Sequence, residues 1–569
     1  MTSPAKRKVL VLGLDGATWD VLSPLVEAGV MPNLGDLVRR GVSARLQSLL
    51  PPVTATAWSS FVTGLNPGKH GVFEFLLRRK GLSAAAVSKR NPFGEVPVNS
   101  TLRDGVPVWE IASRAGMESV VVGIPITYPP SEIKGLMISD FLTPYGRRDF
   151  TWPPSLLADL EGRFGPYKLY HREVYSKRAV GRVIDELFDV LDFNVKVTRH
   201  LLRTEDWNLF MSHFWGTDRV QHELWHVLDE THPRHDAAEG RTNGPRLREF
   251  YATLDRGLGE IVRDAGNCDL IVASDHGFGP IHVYLAFNVW LWQRGYLKFK
   301  RDPGTLLKRL AYRLGLTPVL FYRMSMALGL ARLRLSGGFH SRQRMQMLLN
   351  AFFLSLDNVD WARTTAYSRG NYGQIYVNLK GRDPWGSVAP GEEYDRVRDS
   401  IKRDLLAVTD PRTGGPMFER VHLREELYRG PYVDEAPDLV FLPKDMRYKA
   451  LGTLDFTSNA FSFPVYGNSG DHRLDGIFLG VGPSFRRGVK LDRLSIMDVA
   501  PTVLYLLDLG VPRQMDGGVM MDALAEDRLI EYPVEHTDLE LLGRAAGSAL
   551  TVEDSEDIKR RLEGIGYIG

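Results

Sequence analysis

The feature that most constrains this chain is a set of short apolar runs, each followed by an acid or a histidine. Lys8 to Leu14 (KVLVLGL) ends at Asp15, and Asp269 to Ser274 (DLIVAS) ends at Asp275-His276. Asn208 to Ser212 (NLFMS) leads to Asp218, with His222 following on the same segment. His472 stands in a glycine-rich turn (GNSGDH), just before a strand-like run from Gly476 to Val481. Strands of a buried parallel sheet read as continuous apolar runs, because helices cover both faces. In open α/β sheets, ligands bind beyond the carboxyl ends of the strands. Three Asp and three His gathered at such an edge have the composition of a hydrolase site with two metal ions.

The order of segments points to one α/β core interrupted by insertions. Residues 1–297 alternate strand-like runs, such as Val120 to Ile124 and Leu136 to Ser139, with helical ones, such as Ala179 to Arg203. That alternation argues for βαβ units and a doubly wound, mostly parallel sheet flanked by helices. Residues 298–356 differ: Pro303 to Leu356 holds no Asp or Glu but carries Lys308, Arg309, Arg313, Arg323, Arg332, Arg334, Arg342 and Arg344 among apolar residues at helical spacing. This reads as a basic helical cap; residues 306–354 can also touch anionic membrane surfaces, the alternatives being a cap whose Arg residues face water and a subunit contact. Residues 357–443 suggest a smaller α+β insertion, with a helix from Glu392 to Leu406. Residues 444–533 return to strand-turn-helix chemistry and complete the core, and a polar tail over 534–569 ends in a short helix and Gly-Tyr-Ile-Gly.

Composition excludes several function classes. A net charge of +2 gives no reason to expect a nucleic-acid polymer as partner. Cys268 is the single cysteine, which rules out internal disulfides and cysteine-rich zinc modules. No run approaches the roughly 18 apolar residues of a spanning helix. The first apolar run is too short for a secretory signal, so a cytoplasmic location is expected.

Each candidate residue also has a structural reading. Pro51-Pro52-Val53-Thr54 precedes a helix-like run from Ala55 to Thr63, with Gly64 placed as its C-terminal cap. Thr54 is therefore expected at or near the N-cap, where a hydroxyl accepts a backbone N–H. The same helix end favours an anion, and so suits an alkoxide or a phosphate. Asp218 and His222 share a helix face by their spacing, as solvated pairs also do, and His226 continues that face as a decoy or a substitute ligand. Asp275-His276 says more, since two adjacent polar residues behind a buried strand are costly unless used.

Taken together the motifs resemble a known family. LGLDGATWD at 12–20, PNLGDLVRRGV at 32–42, PPVTATAWSSFVTGLNPGKHGVFEF at 51–75, GTDRVQHELW at 216–225, SDHGF at 274–278 and GDHRLDGIFLGVGP at 470–483 are similar to the type I phosphodiesterase/nucleotide pyrophosphatase branch of the alkaline phosphatase superfamily. The resemblance implies an alkaline-phosphatase-like α/β core and two divalent ions, most often Zn2+, with Mn2+ as the alternative. It places Asp15, Thr54, Asp275 and His276 on one ion, and Asp218, His222 and His472 on the other. Thr54 would be the nucleophile, forming a threonyl-phosphate intermediate with a small phosphate-ester substrate. One position departs from the pattern. Nucleotide-cleaving members carry a phosphate-holding Asn shortly after the His-Gly pair, and the matching position after His70-Gly71 is Phe75. The substrate thus stays open among nucleotides, phospholipid head groups and other esters, as does diester against monoester. Within the superfamily the alternatives are a phosphomonoesterase and a phosphotransferase or mutase. Outside enzymes, the alternative is a catalytically silent, metal-binding, membrane-peripheral protein.

Overall fold

The apolar runs become the strands of one sheet. A computed structural model describes residues 7–79, 87, 91, 93–171, 173, 179–320, 352–452, 456–543, 550–565 and 567. Its central sheet contains β1 (Val9–Leu14), β2 (Val42–Gln47), β3 (Ser119–Val122), β4 (Gly135–Ile138), β5 (Thr151–Trp152), β6 (Leu209–Phe214), β7 (Asp269–Ala273), β8 (Asp475–Val481) and β9 (Val489–Ser495). Their spatial order is β9-β2-β8-β7-β1-β6-β3-β4-β5. Strand β1 pairs in parallel with both β6 and β7, so the centre of the sheet is parallel. Strand β8 runs antiparallel to both of its neighbours, and β5 runs antiparallel to β4. The fold is thus doubly wound and mostly parallel.

Both faces of the sheet are covered, which explains the uninterrupted apolar runs. Leu10, Leu12 and Leu14 of β1 pack on one face with helices α2 (Val180–Thr204), α3 (Gly216–Leu228) and α4 (Ala237–Ala265). Val9 and Val11 point to the other face, against Trp58 and Phe61 of α1 (Thr54–Thr63) and against α6 (Val499–Leu506). Alternate residues of one strand thus feed two cores, as the pleat requires.

The region between β7 and β8 builds a separate layer. A four-stranded sheet comes from residues 366–441, and a three-stranded one from Val283–Ala286, Tyr448–Leu451 and Ser462–Pro464. Helix α5 (Pro303–Arg313) follows this region's first helix, and the chain ends in α7 (Val552–Ile565). Residues 321–351, which hold most of the expected basic cap, lie outside the described residues. Among the described residues, no helix is long and apolar enough to cross a membrane.

Candidate metal centre

Asp15 and Asp275 follow the carboxyl ends of β1 and β7, and Asp218 lies in the first turn of α3, just past β6. Each aspartate has one oxygen tied down and the other without a hydrogen-bond partner. Asp15 Oδ2 accepts from His213 Nε2 at 2.8 Å and from Trp58 Nε1 at 3.4 Å. Asp275 Oδ1 accepts from the Gly16 amide at 3.2 Å. Asp218 Oδ2 accepts from the Tyr567 hydroxyl. The remaining oxygens, Asp15 Oδ1, Asp218 Oδ1 and Asp275 Oδ2, are buried and unpartnered. Such atoms are rare in folded proteins and call for a specific cause.

The three histidines complete the cluster. His222, His276 and His472 each place Nδ1 on a backbone carbonyl, of Gly470 at 3.1 Å, Gly277 at 3.1 Å and Pro52 at 2.8 Å. Those carbonyls favour the Nδ1-protonated tautomer, which leaves each Nε2 lone pair free to ligate. His276 Nε2 lies 3.3 Å from Asp275 Oδ2 and 3.6 Å from Asp15 Oδ1. Asp218 Oδ1 lies 3.3 Å from His472 Nε2 and 3.5 Å from His222 Nε2. The Nε2 atoms of His222 and His472 stand only 2.9 Å apart. In these tautomers two lone pairs face each other, a repulsive contact that a shared cation relieves.

Burial sets the protonation of these groups. It pushes His222, His276 and His472 down to about 4, so they are neutral at pH 7 and ready as ligands. Burial also pushes Asp218 up to about 6, and raises Asp275 well above the carboxylate range, with Asp15 adding to the rise. For Asp15 burial acts upward too, but the His213 hydrogen bond and charge outweigh it, and its carboxyl ends below the ordinary range. A divalent ion reverses the upward shifts by compensating the carboxylates. Oxygens without partners, neutral imidazoles and buried acids together fit a cation centre.

The seven residues singled out in the sequence come together here. Donor atoms lie within 4.8 Å of one another in three sets: Asp15, Asp275 and His276; Asp218, His276 and His472; and His222, Asp471 and His472. His276 bridges the two halves, its ring stacked on that of His472 at 3.5 Å. Thr54 starts α1 rather than capping it, because Val53 is the N-cap and has no side-chain cap bond. Its hydroxyl is therefore not spent on the helix and lies 3.2 Å from His276 Nε2. His472 sits in a short strand (Gly470–Arg473) paired with Gly277–Pro280, not in a turn, and this pairing brings it to His276. His226 is a decoy: Nδ1 meets Ser469 Oγ at 3.0 Å and Nε2 lies 3.6 Å from Glu239.

Sequence reasoning missed His213, Tyr567 and the pair Lys449–Asp471. His213 was detectable, since a polar residue interrupts the apolar run of β6. Asp471 is already engaged, with Lys449 Nζ at 2.8 Å on Oδ2 and the Tyr372 hydroxyl at 3.0 Å on Oδ1. Although burial acts upward, Lys449 holds the Asp471 carboxyl well below the usual range. A depressed carboxyl contributes stability that is present above its ordinary value of about 4 and is lost as pH falls below it. Lys449→Met should strand a buried charge and destabilise the fold by about 3–5 kcal/mol. Adding Asp471→Asn should recover part of that loss, as urea melts at neutral pH would report.

A family model described as type I phosphodiesterase / nucleotide pyrophosphatase matches residues 9–454. Among solved structures, phosphonoacetate hydrolase from Sinorhizobium meliloti 1021, in complex with phosphonoformate, is similar with a TM-score of 0.51 and 16% identity, covering 88% of this chain and 95% of that one. Human ectonucleotide pyrophosphatase / phosphodiesterase 5 gives a TM-score of 0.45 and 14% identity, covering 91% of this chain and 100% of that one. No curated protein matches the chain. The first likeness bears on the fold alone. The family match spans most of the chain, from β1 into the insertion layer, and includes all the converging residues except His472. The chain belongs to the type I phosphodiesterase / nucleotide pyrophosphatase family.

Proposed function

We propose that this chain hydrolyses phosphate esters at a two-metal centre, through a threonyl-phosphate intermediate on Thr54. The observation that carries the reading is the set of half-satisfied aspartates and three neutral histidines around a hydroxyl with no capping duty. Asp15, Thr54, Asp275 and His276 would hold one ion, and Asp218, His222 and His472 the other. Zinc suits these N and O ligands, with manganese as the alternative. When bound, two such ions supply Lewis-acid stabilisation of the attacking and leaving oxygens.

The protein's own groups do the rest. Thr54 Oγ1 stands at the first turn of α1, where backbone N–H groups and the helix dipole favour negative charge on the phosphoryl oxygens. In the first step the bond from Thr54 Oγ1 to phosphorus forms as the ester oxygen departs in line. In the second, water attacks phosphorus and the Thr54 oxygen leaves. The side chains flanking Thr54 are buried; Val53 and Trp58 are both at most 1% exposed. Phe75, at the position matched to the phosphate-holding Asn, is 1% exposed and supplies no hydrogen bond from its side chain. The chemistry does not depend on that residue, but a nucleotide preference loses its support. A screen of aryl phosphodiesters against aryl phosphomonoesters, with zinc or manganese present, tests the reading. Metal-dependent turnover of either class supports it, and turnover of neither contradicts it.

We also propose a peripheral contact with anionic membranes, based on α5. Leu307, Leu310 and Leu314 are exposed at 69%, 57% and 74%, while Arg309 and Arg313 lie over the Trp292 ring. The described part of the basic segment thus turns leucines outward beside the exposed Arg313 and the partly exposed Lys308 and Arg309. Cosedimentation with anionic vesicles should exceed that with neutral ones and fall at raised salt. Equal binding to both would remove the contact.

A further inference from the structure

Two of the three aspartates are held by groups close to them in the fold's centre, His213 on the adjacent strand and the Gly16 amide beside β1. The third is held from far along the chain. The Tyr567 hydroxyl donates to Asp218 Oδ2 across 349 residues of sequence, leaving Asp218 Oδ1 facing His222 and His472. We propose that Tyr567 is a positioning residue of the metal centre, holding the Asp218 carboxylate so that Oδ1 faces the ion shared with His222 and His472. This rests on the two-metal reading above.

Tyr567 is held as a built part of the site. It is 6% exposed and stacks on Phe75 at 4.9 Å with an interplanar angle of 10°. The His222 ring meets it edge-on at 5.6 Å. Its carbonyl accepts from Asn371 Nδ2 at 2.8 Å, and its amide donates to the Leu562 carbonyl at 3.0 Å. Helix α7 before it is tied down over its length. The Tyr145 amide donates to Asp557 at 2.8 Å, Lys559 Nζ to the Glu95 carbonyl at 2.7 Å, and Arg561 Nη1 to the Phe141 carbonyl at 2.6 Å. Ile558 and Leu562 enter the apolar cluster that holds Val53, Ala55 and Phe75. Ordering a helix in this way is unfavourable in chain entropy. Here the ordered segment delivers one hydroxyl to one carboxylate oxygen, the same task that His213 and Gly16 perform for Asp15 and Asp275. Partners of this kind orient the ligand and tune its affinity for the ion. Phe75 takes on a meaning that the sequence did not offer: it is the platform on which the tyrosine ring lies.

The test is a zinc titration of metal-free protein against a chromophoric chelator, for wild type, Tyr567→Phe and Phe75→Leu. Removing the hydroxyl should weaken one of two zinc equivalents by about ten-fold or more and leave the other unchanged. The melting temperature in chelator should fall only modestly, since one buried hydrogen bond is lost while the ring and its stack remain. Phe75→Leu disturbs the same packing but keeps the hydroxyl, and should weaken that equivalent less. Two equivalents bound by Tyr567→Phe as tightly as by wild type would overturn the assignment. So would an equal loss in Phe75→Leu, which would mark packing as the cause. Wild-type protein that takes up no zinc would instead overturn the metal-centre reading, and the inference with it.

Discussion

Replacing Thr54 by Ala is expected to lower kcat by at least about 10^4-fold, the scale seen when a covalent nucleophile is removed. The fold should survive. Thr54 is fully buried, so losing its hydroxyl and methyl should destabilise by about 1–2 kcal/mol, the range for a small core truncation. Metal content should change little, because the aspartates and histidines keep their own ties. Thr54→Ser retains a hydroxyl at the start of α1 and should keep activity within about 100-fold of wild type, the loss reflecting poorer positioning. Steady-state kinetics with an aryl phosphodiester decide the matter. Near-normal kcat in Thr54→Ala would end the covalent route.

Removing metal with a chelator should abolish turnover and lower the melting temperature, and zinc or manganese should restore both. Three buried carboxylate oxygens have no other partner, and without an ion Asp218 and Asp275 are held above their ordinary range by burial. Zinc at about 1,000 times its Kd would add roughly 4 kcal/mol of stability by mass action. The sign of the pH effect follows from the same groups. Ligation needs the ionised carboxylate, and ion-free Asp218 releases its proton at about 6. Zinc affinity should therefore be weaker at pH 5.5 than at pH 8. Differential scanning fluorimetry with and without zinc at the two pH values measures both effects, and an unchanged melting curve would contradict them.

Much of this was legible in the sequence for one physical reason. A strand buried on both faces must be apolar throughout, so the residue where the run breaks marks the sheet edge, and Asp15 and Asp275 are such breaks. Helices written by periodicity also lie where expected, as Val180–Thr204 and Glu392–Leu406 do. Local pattern could not give the pairing of Gly470–Arg473 with Gly277–Pro280, which turned an expected loop into the strand that carries His472. Thr54 lies beside the N-cap, as expected, but local pattern could not decide whether its hydroxyl caps the helix, because that depends on which residue leaves the helical conformation first, and here it is Val53. The groups that aim the carboxylates were beyond local reading: His213 lies 198 residues from Asp15, and Tyr567 lies 349 from Asp218. No periodicity records such distances, and the polar tail gave no sign that its tyrosine is buried. Phe75 was noticed for the Asn it replaces, while its partner comes from the other end of the chain.

Elemental analysis of protein purified without chelator tests the metal centre most directly. About two transition-metal ions per chain are expected. Asp275→Asn should remove the ion beside Thr54, and Asp218→Asn the ion beside His222 and His472, each leaving about one. A wild-type preparation with no bound metal at neutral pH, and with no activation by zinc or manganese, would contradict the two-metal centre.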